Sequence, residues 1–577
     1  MLRGPEARLR LITVLLIAAV LPVIWELVRL QVLDRERYQT KVEELVVRPY
    51  ALAAPPVGTI RDRNHDLLVG NIPIYSVGAE IGLITDTTMA SDELAPLLGM
   101  DPAVLEQMLG DEEWPYVWRR LADGIRGEAA ETVKDLKQTK WNWLTLEPTW
   151  ERFYPEGELA AHALGFTNKD GNGYGIEASQ YHLLQPRPAS ALGEVDVLRV
   201  PLSEELAKGK LRAFPGSDLT LTLDRTVQAF VEGELEKAMV EYGASGGTII
   251  VMNPKTGAIL ASASYPDYNP SLFSHYDASE QRRFVDPAVS VVYEPGSVFK
   301  VLTIAAAIDS GSITRDWSYM DNGLIEYGGV TVYNFDRSSR GHQNLQGVVD
   351  HSLNVGVATL ATQFIGPETF ADYILRFGFG RPTNVGLFGE AAGLVHLPTD
   401  LAWADSFLVT NPFGQGIAVT PMQMATALAS LANHGTMMKP RLVVERVTPE
   451  GEVVPVPPKV VDQTVSAETA DFVVGLMEHA VNNTIVQAQV PGYRVAGKTG
   501  TAQIPIAGGY DPVDVITSFV GFGPLPDPEV LILVKIDRPQ VERNLRWGTQ
   551  TAAPVFSTVA ERLFVLLGIP PTEPVDL

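Results

Sequence analysis

Three short stretches hold residue types that can transfer an acyl group. Ser297-Val298-Phe299-Lys300 opens a run to Ile308 that is apolar nearly all round. Pro295-Gly296 precedes it as a helix start and Gly311 ends it. The spacing predicts a buried helix with Ser297 and Lys300 one turn apart on one face. A lysine removed from water loses proton affinity and can act as a base. A serine beside it then becomes a nucleophile without any histidine. The helix N-terminus adds positive field and backbone N–H groups where an oxyanion would form. A lone Ser-x-x-Lys is more often a cap and a solvated lysine, but that fits poorly on so apolar a helix. This is also the chain's one Ser-x-x-Lys.

Ser352-Leu353-Asn354 is the one Ser-x-Asn. Alone it is weak, because Ser and Asn commonly cap helices or make turns. Lys-Thr-Gly occurs at 255–257 and again at 498–500. Lys255 follows Asn253-Pro254 in a hairpin turn, where Lys and Gly are ordinary. Lys498-Thr499-Gly500-Thr501 lies in a strand-like stretch. Glycine in a strand signals close approach of another backbone or a ligand. Such a strand can pair with an extended peptide, and its lysine can hold a terminal carboxylate.

The elements that must position these residues form two groups of strands around a helical middle. Asp218 to Leu223 alternates, Asp224 caps a helix from Arg225 to about Tyr242, and Thr248–Met252 with Ala258–Ser264 reads as a hairpin. Arg494–Gln503, Ile516–Gly523 and Val530–Ile536 read as three more strands, followed by a helix from about Pro554 to Leu567. Strands at both ends with helices between predict an α+β fold, one antiparallel sheet on a helical lobe. Residues 46–215 are different: a strand over Tyr75–Ile84, helices over Ser91–Gly110 and Gly127–Lys140, many turns, and no acids clustered around a Ser or His. The composition changes at Phe214-Pro215-Gly216-Ser217. The expected domains are a tail at 1–10, an anchor at 11–32, a pedestal at 46–215, a catalytic domain at 216–567 and a short tail at 568–577.

Composition narrows the chemistry. The 577 residues carry 45 basic and 69 acidic side chains, a net charge of −24, which argues against nucleic acid as a partner. There is no cysteine, so disulfides, thiolate metal sites and cysteine nucleophiles are excluded. The nine histidines are scattered without metal-ligand spacing, so a protein-held catalytic zinc is not expected. Leu11–Trp25 is an uncharged apolar run after Arg3, Arg8 and Arg10. Continued helically to Val32 it approaches the roughly 20 residues of a span, and the basic flank places the N-terminus in the cytoplasm and the remainder outside. A cleaved signal peptide is the competing reading, but no small-x-small site follows.

The order Ser-x-x-Lys, Ser-x-Asn, Lys-Thr-Gly, with 55 residues between the first two and 146 to the third, resembles the penicillin-binding proteins and serine β-lactamases. The long spacing and the N-terminal half resemble the class B penicillin-binding proteins, single-span transpeptidases of peptidoglycan. Gly58-Thr59-Ile60-Arg61-Asp62-Arg63-Asn64 is similar to their first pedestal motif, with Val57 and His65 departing from it. Arg152-Phe153-Tyr154-Pro155, Ala161-His162, Gly165–Asn168 and Gly175-Ile176-Glu177 resemble the next block, and Gly414-Gln415-Gly416-Ile417 with Thr420-Pro421 a segment before the last strands. The resemblance implies that Ser297 attacks the penultimate D-Ala of a stem peptide. Lys300 is then the base, Ser352 and Asn354 relay protons and position the amide, and Lys498, Thr499, Gly500 and Thr501 bind the terminal carboxylate. The N–H groups of Ser297 and Thr501 form the oxyanion hole. Whether Ser352 or Lys300 protonates the leaving amine stays open, and the mechanism that the resemblance implies needs no metal or organic cofactor. β-Lactams are expected inhibitors, and a SEDS-type glycan polymerase with other divisome membrane proteins the expected partners. The run Gly165–Gly171 leans to the division-type branch over the elongation type. A β-lactam sensor or class D-like β-lactamase, and an idle scaffold, are the alternatives.

Overall fold

The computed structural model describes residues 55–111, 118–168, 170–186 and 214–574, with Val20, Trp25 and Arg29 as isolated positions. The anchor expected over 11–32 otherwise lies outside the described residues. Among the described residues no helix is long and apolar enough to cross a membrane. The chain divides into two compact units. One is built on Pro73–Glu151, and the other combines Val57–Ile72, Arg152–Gln185 and Ser217–Leu577. The stretch 46–215, expected as one pedestal, is thus shared between them. The reason is strand pairing: β1 (Ile60–Arg61) runs parallel to the strand Asp218–Leu221, with Ile60 opposite Leu219. Ile60, Leu68, Val69, Ile176 and Leu184 are buried in the same core as the catalytic helices.

Strand β2 (Leu67–Glu80) carries the chain into the smaller unit. There α1 (Thr87–Leu98), α2 (Pro102–Leu109), β3 (Trp118–Ile125), α3 (Gly127–Thr139) and β4 (Leu144–Phe153) follow. Leu94, Leu98, Leu105, Val133, Trp141 and Trp143 form their core. The single helix expected over Ser91–Gly110 is two. Gly99 takes a left-handed φ of 65° and closes α1, then Asp101 accepts from the Ala103 N–H at 2.8 Å with Pro102 in the first turn of α2. The helix expected over Gly127–Lys140 forms as α3.

In the larger unit β5 (Asp218–Leu221) leads to α4 (Arg225–Tyr242). The Asp224 carboxylate caps α4 through the Thr226 and Val227 N–H groups, at 3.0 and 3.2 Å, and Gly243 ends it at φ 58°. The hairpin β6 (Gly246–Met252) and β7 (Ile259–Tyr265) then forms as expected. The helical middle contains α5 (Lys300–Asp309), the hairpin β8 (Leu324–Tyr327) and β9 (Val330–Tyr333), α6 (Asn354–Thr359) and α7 (Pro421–Ala432). Strand β10 (Val443–Val447), α8 (Ala467–Asn483), β11 (Ala496–Ile506), β12 (Gly509–Gly523), β13 (Val530–Asp537) and α9 (Ala552–Leu566) complete it.

The central sheet is antiparallel throughout, in the order β11-β12-β13-β6-β7. The whole of β6 is buried, and β13 is buried from Val530 to Ile536, so both faces of the sheet are covered. Helices α4 and α9 pack together on it, and Phe519 of β12 lies 4.6 Å from Phe556 of α9. Helix α7, buried along all twelve residues, packs on β6, β13 and α8. The fold is α+β, and β11 stands at one edge of the sheet, with the segment that carries Ser297 packed against it.

Candidate active site

The turn that carries Ser297 is tighter than the sequence suggests. Gly296–Phe299 is a 3-10 turn, and the α-helix α5 begins only at Lys300. In such a turn, side chains three apart eclipse one another, so Ser297 and Lys300 share one side. The turn lies against strand β11. Gly500 makes that approach possible, because a Cβ there would stand 2.4 Å from Ser518 Oγ, 2.9 Å from Val298 and 3.0 Å from the Pro295 carbonyl.

Ser352 sits between two short helices with φ 51°, a left-handed conformation that costs a serine about 1–2 kcal/mol. That geometry turns both its carbonyl and its hydroxyl toward Lys300. Lys300 Nζ donates to the Ser352 carbonyl and, at 3.0 Å, to Ser352 Oγ. Lys498 Nζ reaches the same hydroxyl at 3.2 Å and donates to the Thr499 carbonyl at 3.3 Å. One hydroxyl therefore lies between two lysine amines, each only 1% exposed.

Two buried amines this close cannot both keep their protons cheaply. Burial first, and then the charge of Lys498, hold the Lys300 amine well below lysine's ordinary range. Burial lowers Lys498 to about 8, with the Asp350 carboxylate pulling the other way. Of the two amines, Lys300 is the more depressed and so the one more readily neutral, and Lys498 the one that more readily keeps its charge.

Ser297, Ser352, Asn354, Lys498, Thr499 and Thr501 line one cleft of about 490 Å³. Lys300 lies beneath it, tied to Ser352, and Gly500 is buried in β11. Asn354 Nδ2 donates to the Tyr333 carbonyl at 2.9 Å, which fixes the amide at the cleft. Thr501 Oγ1 accepts from the Gly548 N–H at 3.0 Å. The other Lys-Thr-Gly stays in its turn: Lys255 pairs with Asp527 at 2.7 Å, and none of 255–257 lines the cleft.

The structure adds residues that the motifs did not reveal. Phe335 and Trp547 meet edge to face across the cleft, 5.7 Å apart and 60% and 42% exposed. They are distant in sequence, and no spacing rule links two aromatics in separate loops. Asp321, fully buried, accepts from Asn334 Nδ2 at 3.1 and 2.9 Å and from the Arg340 N–H at 2.8 Å. Asn334 in turn accepts from the Val355 N–H at 3.2 Å, so this network holds the loop of Phe335 to the start of α6. Glu294 is buried just before the nucleophile turn. It accepts from the Gly416 N–H at 2.9 Å and from the Tyr510 hydroxyl at 3.3 Å, and burial raises its carboxyl above the usual range. An acid beside so apolar a stretch was the available sequence signal.

Residues 247–561 match the penicillin binding protein transpeptidase domain, and 53–185 match the penicillin-binding protein dimerisation domain. The chain is 31% identical over 523 residues to stage V sporulation protein D of Bacillus subtilis, covering 90% of this chain and 79% of that one. It is 30% identical over 539 residues to PenA of Neisseria gonorrhoeae, a probable peptidoglycan D,D-transpeptidase, covering 92% and 87%. Penicillin binding protein 3 of Mycobacterium tuberculosis, solved with aztreonam, superposes with a TM-score of 0.68 at 28% identity, covering 91% of this chain and 99% of that one. A serine turn, two buried lysines and a strand edge on this fold, together with both domain matches, lead to one conclusion: the chain belongs to the class B penicillin-binding proteins.

Proposed function

We propose that the cleft carries out the D,D-transpeptidase reaction of peptidoglycan synthesis through an acyl-enzyme on Ser297. The observation that carries this reading is the pair of buried amines on the Ser352 hydroxyl beside Ser297, with burial and the charge of Lys498 both lowering the proton affinity of Lys300. Lys300 takes the proton of Ser297, whose oxygen attacks the carbonyl of the penultimate D-Ala. The N–H groups of Ser297 and Thr501 receive the oxyanion; losing one such donor costs about 10²–10³ in rate. The donor peptide pairs along the edge of β11, with its carboxylate on Lys498, Thr499 and Thr501. Gly500 lets strand and nucleophile meet, and Asn354 holds the substrate amide. The proton returns to the leaving D-Ala through Ser352 and Lys300. The amine of a neighbouring stem peptide then attacks the ester, forms the cross-link and restores the Ser297 hydroxyl.

PenA's description as a probable D,D-transpeptidase and the aztreonam complex of the tuberculosis protein support the same reaction and β-lactam trapping here. The uncharged run Leu11–Trp25, continued helically to Val32, supports a single membrane anchor with the N-terminus in the cytoplasm; 46–215 supplies the pedestal, and its segments 57–72 and 152–185 complete the catalytic unit of 216–567. A septal role beside a SEDS-type polymerase is the biological setting we assign, on the resemblance of Gly165–Gly171 to division-type members. The test of the reaction is exchange of the terminal D-Ala of a synthetic pentapeptide for a labelled D-amino acid. The intact chain should catalyse it with slow nitrocefin turnover, and Ser297→Ala should not. Fast nitrocefin hydrolysis without exchange would identify a β-lactamase instead.

A further inference from the structure

Outside the catalytic cleft, two adjoining cavities of about 350 and 420 Å³ share Asn384, Lys439, Pro440 and Lys459 in their walls. No residue of the catalytic cleft lines either. Five cations do: Arg381, Lys439, Arg441, Arg446 and Lys459, without one Asp or Glu. On a chain of net charge −24 such a concentration runs against the background. Among the described residues none of the five forms a salt bridge.

Lysines beside a sheet edge often serve only to keep other chains away. The arginines do not fit that account. The Nε groups of Arg441 and Arg446 are buried and have no hydrogen-bond partner. Arg441 Nη1 donates to the Val456 carbonyl at 2.6 Å, and among the described residues no carboxylate pairs with either arginine, so neither guanidinium charge is neutralised within the wall and both favour an anion in the groove. Neighbouring acids are turned elsewhere: Glu390 accepts from Thr383 Oγ1 and the Asn384 N–H, both at 2.8 Å, and Glu445 from Thr220 Oγ1 at 3.2 Å.

The remaining wall is apolar and extended. Val456, Val460 and Val461 are 39%, 57% and 44% exposed. The strand Val453–Pro455 ends its sheet, paired on one side only with β10. A single phosphate-sized ion would engage two or three donors at one point, not five spread over two cavities. A strand edge, exposed valines and a line of cations suit an extended polypeptide that alternates carboxylates with apolar side chains.

We propose that this double groove docks an extended acidic segment of a partner protein, its carboxylates on Lys439, Arg441, Arg446 and Lys459 and its apolar side chains on the valines. The probe is a fluorescein-labelled octapeptide of alternating Glu and Val, titrated with the full chain and read by fluorescence anisotropy. A Lys-Val octapeptide is the charge control. The acidic peptide should bind saturably and at least tenfold more tightly than the control. Lys439→Ala with Arg446→Gln should weaken it at least tenfold while penicillin labelling of the catalytic serine stays unchanged. Should that double variant lose labelling, the exposed Lys459→Ala takes its place with the same expected direction. Equal binding of the two peptides, or undiminished binding to a variant that still labels, overturns the proposal. So does displacement by equimolar inorganic phosphate, by soluble wall peptides or by phosphatidylglycerol vesicles, which would identify a small-anion, wall-fragment or lipid site respectively.

Discussion

At the scale of single residues, the two lysines should write their protonation into the pH profile of acylation. Lys300 must be neutral to accept the Ser297 proton, so the rate climbs as pH rises through its depressed pKa. Lys498 must be charged to hold a carboxylate, so the rate falls as pH passes about 8. Lys498→Arg keeps a cation far above that pH. Stopped-flow acylation by a fluorescent penicillin should then lose the falling limb, with the plateau reduced roughly 10–100-fold by poorer hydrogen bonding. A falling limb still near pH 8 in that variant would assign it to another group. Lys255→Ala should leave acylation unchanged, since its amine pairs with Asp527 in a turn, whereas Lys498→Ala should abolish it. That Ser297, Lys300, Ser352 and Lys498 would be brought together was legible because the helix after Ser297 is too apolar for a solvated lysine, and because Ser-x-Asn and Lys-Thr-Gly follow it in the order the resemblance implies. Phe335, Trp547 and the Asp321–Asn334 pair were not, because their partnership exists only after distant loops meet.

At the scale of elements, the nucleophile turn is held by what packs against it. Gly414 has φ 81°, and a Cβ there would stand 2.3 Å from the Gly296 carbonyl. Gly414→Ala should therefore displace the Ser297 turn. A shift of about 1 Å is enough for roughly a 10²-fold loss in rate, and acylation kinetics on a chain that still melts cooperatively would show it. Helix α7 offers the contrast. Thr420 Oγ1 accepts from the Gln423 N–H at 3.1 Å, and Gln423 Oε1 accepts from the Thr420 N–H at 2.8 Å. Thr420→Ala should cost about 1 kcal/mol in unfolding free energy and leave acylation unchanged. Capped helices such as α4 were readable to the residue, because Asp224 and Gly243 punctuate the sequence. The α1–α2 break was signalled by Gly99 and Asp101-Pro102, but apolar residues continue across it and mask the stop. The 3-10 form of the nucleophile turn had no sequence mark, since Pro-Gly opens either kind of helix.

At the scale of the whole molecule, the unit that holds the cleft does not begin at the composition change near 214. A chain truncated to start at 213 would lose Ile60, Leu68, Val69, Ile176 and Leu184, all at most 3% exposed in the catalytic core. Losing each buried Leu or Ile costs about 2–5 kcal/mol, against a net stability of about 5–15 kcal/mol, so that truncation should not fold. Replacing 74–150 with a short Gly-Ser linker keeps those residues. Arg152 Nη1 lies 3.1 Å from Asn71 Oδ1 and Arg152 also pairs with Glu177, so the two ends to be joined are neighbours within the larger unit. That shortened chain should retain cooperative unfolding and full penicillin acylation; loss of both would show that the smaller unit is needed to fold the larger. This discontinuity was not legible, because it depends on the parallel pairing of Ile60 with Leu219 across 159 positions. Peptide mass mapping of the intact chain after exposure to benzylpenicillin reads out the acyl-enzyme on Ser297 itself. One added penicilloyl group is expected, on the peptide containing Ser297, and none in Ser297→Ala; a label on any other residue, or undiminished labelling of Ser297→Ala, would contradict an acyl-enzyme at that serine.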